Sequence, residues 1–366
     1  MGRLHDLHAE GGQSPWLDNL RRDWLHSGEL ARWVDRGIRG LTSNPSIFQK
    51  AIEGGGPYDD AFAELVRGGA DVEAAYWSLV VDDIEGALDV LAPTFESSGG
   101  EDGYVSVEVA PALAHDRDAT VAAALELARR IARPNLYVKV PATVAGVEAV
   151  RSLVAQGVNV NVTLIFSLER HAAVMEAYLA GLEDRVAAGA TDLAAASSVA
   201  SFFISRVDTE IDRRLAELGT DEATELAGRA AVAQGQLAYD QFRRTFSGER
   251  WERLAALGAR PQRPLWASTS TKNPDYPDTL YVDELIGPDS VNTLPDATAA
   301  AFEDHGTVAR TVDADVPGAY ATWEDVGELV DLADVAEVLE REGVASFEAA
   351  FDGLLATLAA KAAALG

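Results

Sequence analysis

Lys139 lies in the middle of the nine-residue segment Asn135-Leu-Tyr-Val-Lys-Val-Pro-Ala-Thr143, flanked by Val138 and Val140. Lysine is rarely buried without a partner or a task, and this chain has four lysines against twenty-six arginines. Desolvation and neighbouring cations lower an amine's basicity and free its lone pair to attack a carbonyl carbon. The bland alternative is an edge-strand lysine whose stem reaches out to water. Glu108 poses the same question inside Tyr104-Val-Ser-Val-Glu-Val109, because a lone buried carboxylate costs on the order of several kcal/mol. A lysine and a carboxylate on adjacent strands offset each other, so a purely structural ion pair is the competing explanation. Further polar residues fall at predicted strand ends: Asp18, Thr42, Asn44, Asn161, Thr163, Ser201, Ser268 and Ser270. Each has an ordinary reading. Asn44 before Pro45 suits a helix N-cap, and Ser106, Asn159 and Thr163 suit interior barrel layers bonded to one another.

The elements that must carry these residues follow from periodicity. Strict alternation of polar and apolar residues marks a strand over 158–166, with Asn159, Asn161 and Thr163 on one face and Val158, Val160, Val162 and Leu164 on the other. The same reading gives strands at 104–109, 136–140 and 197–204, a brief one at Trp16–Asn19, and others at 37–42, 265–271 and 290–294. Thr143 and Ser167 are placed to cap the helices that follow their strands. Helical patterns occupy most of the intervals, including a helix beginning at Arg206 and, after it, a long alanine-rich helical stretch to Leu257. Residues 299–366 read as helical with acidic, solvated faces. Eight short strands separated by helices predict a closed (β/α)8 TIM barrel with additional helices and a C-terminal helical extension, as a single domain over 1–366. An open doubly wound sheet is disfavoured, since no glycine-rich phosphate turn occurs.

Composition narrows the partners. The net charge is −29 and the isoelectric point about 4.4, which argues against nucleic acid and anionic membranes. A small anionic substrate then needs a few cations to focus the potential locally. Without cysteine there is no thiol nucleophile, disulfide or thiolate metal site. The six histidines are scattered without ligand spacing, so neither metal nor cofactor is expected. The polar first thirteen residues carry no signal-peptide core, and no run reads as the roughly 20 apolar residues of a membrane helix. A cytoplasmic protein is expected. Oligomeric state is not legible.

Four segments then resemble one family in the right order: Gly40-Leu-Thr-Ser-Asn-Pro-Ser-Ile-Phe48, Asn135 to Thr143, Val158-Asn-Val-Asn-Val-Thr-Leu-Ile-Phe-Ser167 and Leu265-Trp-Ala-Ser-Thr-Ser-Thr-Lys-Asn-Pro274. They are similar to transaldolases of the longer bacterial branch, from about Gln13 to the C-terminal helices. The resemblance implies a pentose phosphate pathway enzyme that transfers a dihydroxyacetone unit between sugar phosphates. It implies Lys139 as Schiff-base lysine, Asp18 as acid/base carboxylate, Glu108 as a carboxylate working through a water, and Thr163 as that water's holder. Asn44, Asn161 and Ser201 would bind the dihydroxyacetone hydroxyls, and Arg206 the phosphate. The chain departs from the better-known transaldolases after Ala267-Ser268, where Thr269-Ser270-Thr271 stands in place of an aromatic, an arginine and an asparagine. Lys272 and Ser268 are expected to complete the phosphate site there. Fructose 6-phosphate aldolase shares lysine and fold and is the near rival. A non-catalytic sugar-phosphate-binding barrel is the distant one.

Overall fold

A computed structural model describes residues 2–365. Eight strands form a closed parallel barrel in sequence order: β1 (Gln13–Leu17), β2 (Leu41–Thr42), β3 (Val105–Glu108), β4 (Leu136–Pro141), β5 (Val160–Ile165), β6 (Ser198–Phe203), β7 (Arg263–Ala267) and β8 (Ser290–Leu294). The register runs Glu108–Lys139–Asn161–Val199 across β3 to β6, and β8 closes on β1 with Leu294 beside Leu17. The expected (β/α)8 barrel is therefore the observed one. Hydroxyl caps begin the helices after β4 and β5. Thr143 accepts from the Gly146 amide at 3.0 Å, and Ser167 from the Arg170 amide at 3.0 Å.

The interior fills in layers. At the N-terminal end Tyr104 stacks on Tyr137 with ring centroids 4.2 Å apart, and Trp16 lies 6.0 Å from Tyr137. Beside them Asp102 accepts from Ser14, Trp16, Arg39 and Arg263. Burial pushes its carboxyl up, but the two guanidiniums and the hydroxyl prevail and hold it at about 2. Above this plug Asn161 donates to Ser106 Oγ at 3.0 Å and accepts from Ser201 Oγ at 2.6 Å. The layer above that carries Lys139, Glu108 and Thr163.

Several sequence expectations need correction. The second strand is two residues long, not 37–42, because Gly40 passes against the Trp16 indole. A Cβ there would stand 2.4 Å from the ring, so the chain approaches as a bare backbone and pairs only beyond it. The seventh strand ends at Ala267, not Thr271, because Ser268 turns to φ +58°. The helix expected at Arg206 runs Ser205–Leu218, but the long stretch after it is three helices, Asp221–Leu226, Ala230–Thr245 and Gly248–Ala255. A helix at Arg3–Ala9 that the sequence did not announce buries Leu4 and Leu7.

The largest correction concerns the C-terminus. The helix Leu332–Leu365 is long and apolar enough to span a bilayer by length and composition, contrary to the expectation that no run is. It does not lie as a solvated appendage. Val335, Leu339, Gly343, Val344, Phe347, Phe351, Leu354 and Leu358 are buried, and its middle crosses the C-terminal mouth of the barrel.

Candidate active site

Lys139 is 4% exposed and Glu108 7%. Lys139 Nζ lies 3.2 Å from Glu108 Oε2 and donates to the Ser43 carbonyl at 3.3 Å. β4 supplies the lysine at a strand position whose backbone neighbours, Val138 and Val140, point outward into the helical layer. Adjacent registration of β3 and β4 brings the carboxylate beside it. Burial pushes the Glu108 carboxyl up, Lys139 draws it back, and Asp18 raises it again; the net direction is upward.

Asp18 follows the last residue of β1, and its amide is anchored on the Leu294 carbonyl at 2.8 Å. Thr42 Oγ1 donates to Asp18 Oδ1 at 2.7 Å and sits 2.6 Å from Thr293 Oγ1. Since Thr42 has one hydroxyl hydrogen and gives it to Asp18, Thr293 must donate in turn. This relay fixes the carboxylate's orientation. Burial raises the Asp18 pKa against the opposing pull of Lys139, Thr42 and Arg206. Two carboxylates in different surroundings thus lie beside one amine, both held above their ordinary pKa chiefly by burial.

β5 carries Thr163 just before a bulge: the register with β6 shifts between Val162 and Ile165, and Leu164 adopts φ +60°. Bulges and left-handed non-glycine residues cluster where a strand must re-aim a side chain. Thr163 Oγ1 is fully buried and has no hydrogen-bond partner in the protein. Arg206 sits in the first turn of the helix after β6. Its guanidinium lies 5.2 Å from the Phe203 ring and 5.9 Å from that of Phe347. Among the described residues, no carboxylate comes within ion-pair range of it. A half-buried, unpaired guanidinium is an anion site in waiting.

A cavity of about 170 Å³ joins these groups, lined by Asp18, Asn44, Lys139, Thr163, Ser201, Arg206, Ser268 and Lys272 among others. Asn44 plays two parts: its side chain caps the following helix, accepting from the Ile47 amide at 3.0 Å, while it also faces the cavity. Lys272 is on the exposed rim and donates to Ser270 Oγ at 2.6 Å. Burial, Arg206 and Lys50 together depress its pKa. Ser268 Oγ is 2.8 Å from Ser205 Oγ. Two of the ten sequence-selected residues stand apart from the cavity wall. Glu108 reaches the site through Lys139, and Asn161 lies one layer down, held by Ser106 and Ser201. Sequence reasoning missed Phe347, Phe203, Thr293 and Ser46, which also line the cavity. Larger clefts of about 500 and 610 Å³ lie at the N-terminal end and beside the C-terminal helix. Neither gathers a buried lysine and carboxylates, so size does not locate the chemistry. Among the described residues no group of three or more metal-ligating side chains converges.

Fold and site together define a (β/α)8 barrel built for amine chemistry at its C-terminal mouth. The sequence model described as Transaldolase/Fructose-6-phosphate aldolase matches residues 15–358, and the chain belongs to that family. It is 51% identical over 358 residues to a protein named transaldolase from Parafrankia sp., covering 97% of this chain and 96% of that one. It is 50% identical to the transaldolase of Mycolicibacterium smegmatis, covering 95% and 94%. The transaldolase of Mycobacterium leprae is 49% identical, with 95% and 93% covered.

Proposed function

We propose that this protein is a transaldolase of the pentose phosphate pathway. It moves a dihydroxyacetone unit from sedoheptulose 7-phosphate to glyceraldehyde 3-phosphate, giving erythrose 4-phosphate and fructose 6-phosphate. The observation that carries the reading is the buried Lys139 amine 3.2 Å from a buried carboxylate, in a chain about half identical to transaldolases along nearly its whole length. In this account Lys139 condenses with the donor ketone, losing water to form an iminium. The iminium accepts the electron pair of the breaking C–C bond, while Asp18 takes the proton of the adjacent hydroxyl and the aldose leaves. Glu108 moves protons during imine formation through a water held at the unpartnered Thr163 hydroxyl. Asn44 and Ser201 bind the dihydroxyacetone hydroxyls, and Asn161 orients Ser201 from below. Arg206 clamps the phosphate in two-pronged fashion, with Ser268 donating a hydrogen bond and Lys272 adding a point charge.

No cofactor is needed, because the iminium does the work of a Lewis acid. The strong negative charge disfavours nucleic acid and anionic membranes as partners, and the docking of the apolar C-terminal helix onto the barrel supports a soluble enzyme. The test is an assay for erythrose 4-phosphate-dependent consumption of fructose 6-phosphate, in chelator. Turnover is expected to persist there. Activity that vanishes with chelator and returns with a divalent ion contradicts the metal-free mechanism, and consumption that needs no acceptor aldehyde favours the aldolase reading instead.

A further inference from the structure

Phe347 has no part in the chemistry above, yet it faces the cavity in which Lys139 and Arg206 meet. It is 5% exposed, lines the cavity, and places its ring centroid 5.7 Å from Lys139 Nζ and 5.9 Å from the Arg206 guanidinium. It comes from the C-terminal helix, and that helix is docked on both sides of it. One turn earlier Gly343 rests on the re-aimed Leu164, where a Cβ would stand 3.1 Å from the leucine methyl. One turn later Phe351 meets Tyr76 edge-on at 5.3 Å. Ion pairs hold both ends: Arg214–Asp334 at 2.7 Å, Arg170–Glu340 at 3.1 Å and Lys361–Asp59 at 2.6 Å.

We propose that Phe347 is the roof of the covalent intermediate and sets the partition between transfer of the dihydroxyacetone unit and its release. This rests on the transaldolase reading and names the residue that makes the site a transferase. Release requires a proton to add at the carbanion carbon and a water to add at the iminium carbon. The C–N bond then breaks, freeing dihydroxyacetone and the Lys139 ammonium. Transfer instead adds an acceptor aldehyde at that carbon, with a proton going to the aldehyde oxygen, and water then hydrolyses the product iminium in the same way; the two paths differ only in whether the carbanion carbon takes a proton or an aldehyde. An aromatic ring over the lysine fills the space in which a water could hand a proton to the carbanion carbon, and offers no proton itself. Its negative π-face also favours the cationic iminium and the neighbouring guanidinium.

The experiment compares the unmodified protein with Phe347→Ala and Phe347→Leu. Three quantities are read: transfer from fructose 6-phosphate to erythrose 4-phosphate, free dihydroxyacetone formed without acceptor, and the borohydride-trapped adduct at Lys139. In Phe347→Ala the ratio of release to transfer is expected to rise roughly tenfold, with the adduct still formed; Phe347→Leu, which keeps an apolar but smaller roof, raises it about threefold. A fall in both rates at constant ratio overturns the proposal and leaves Phe347 a packing residue. If the alanine variant fails to fold, an unchanged ratio in the leucine variant overturns it equally. Absence of transfer by the unmodified protein sinks the functional reading itself, and this proposal with it.

Discussion

Thr42 and Thr293 hold Asp18 by a two-hydroxyl relay, and the functional account makes Asp18 a proton carrier and no attachment point. Asp18→Asn is therefore expected to lower kcat by about 10²–10⁴-fold while leaving the borohydride adduct at Lys139 detectable. Loss of the adduct together with turnover would show that Asp18 serves imine formation or folding instead. Outside the cavity wall, in the first turn of the helix after β5, His171 is fully buried against Phe202. Its Nδ1 pairs with Gln241 Oε1 at 3.0 Å, and its Nε2 has no partner. Burial lowers its pKa to about 4, below the unfolded value. The unfolded chain thus binds the extra proton first: this contribution to stability is complete above about pH 6.5 and is lost as pH falls toward 4, amounting to roughly 3 kcal/mol. His171→Phe should flatten that slope in denaturant titrations between pH 4 and 6.5; an unchanged slope contradicts the assignment. Lys139 and Glu108 were legible because a charge among alternating valines is chemically conspicuous. Thr293 was not, since a strand threonine looks the same whether or not it supports a carboxylate. Nor was Phe347, one of two phenylalanines in an alanine-rich helix.

Strands with regular alternation announced themselves, and the breaks in that regularity did not. The turn at Ser268 and the bulge at Leu164 put ordinary residues into left-handed backbone, where no local residue preference marks them. The loop after β7 shows how one element is braced for function. Tyr281 donates to Asp208 Oδ2 and Tyr276 to Asp212 Oδ2, each at 2.8 Å. Both aspartates lie on the helix Ser205–Leu218 whose first turn carries Arg206. The brace therefore fixes the Lys272 loop relative to Arg206. Removing one bond with Tyr281→Phe or Tyr276→Phe is expected to raise KM for phosphorylated donors about threefold to tenfold, with little effect on an unphosphorylated ketose donor such as fructose. Equal effects on both donors would mean that the brace supports the barrel alone.

Across the whole molecule, 29 net negative charges oppose an anionic substrate. Three cations counter them at the mouth: Arg206, Lys272 and Lys50, the last one helical turn beyond the cavity-lining Ser46. Lys50 is felt electrostatically at Lys272. Lys50→Glu should lower kcat/KM for a phosphorylated donor by about threefold to tenfold at low salt, and by less at about 0.15 M ionic strength as screening shortens its reach. A salt-independent loss would point to direct contact in place of steering. The barrel itself was readable from eight strands spaced by helices. The path of the last helix was not, because periodicity shows which face is apolar and says nothing about what that face covers.

Borohydride reduction in the presence of fructose 6-phosphate, followed by peptide mapping, tests the central claim most directly. The account predicts one dihydroxyacetone-derived mass increment, on the peptide containing Lys139, and none in a Lys139→Arg variant that keeps its fold, since a guanidinium stays protonated and does not condense. An increment on Lys50, Lys272 or Lys361, or none at all in a protein that still turns over, would contradict it.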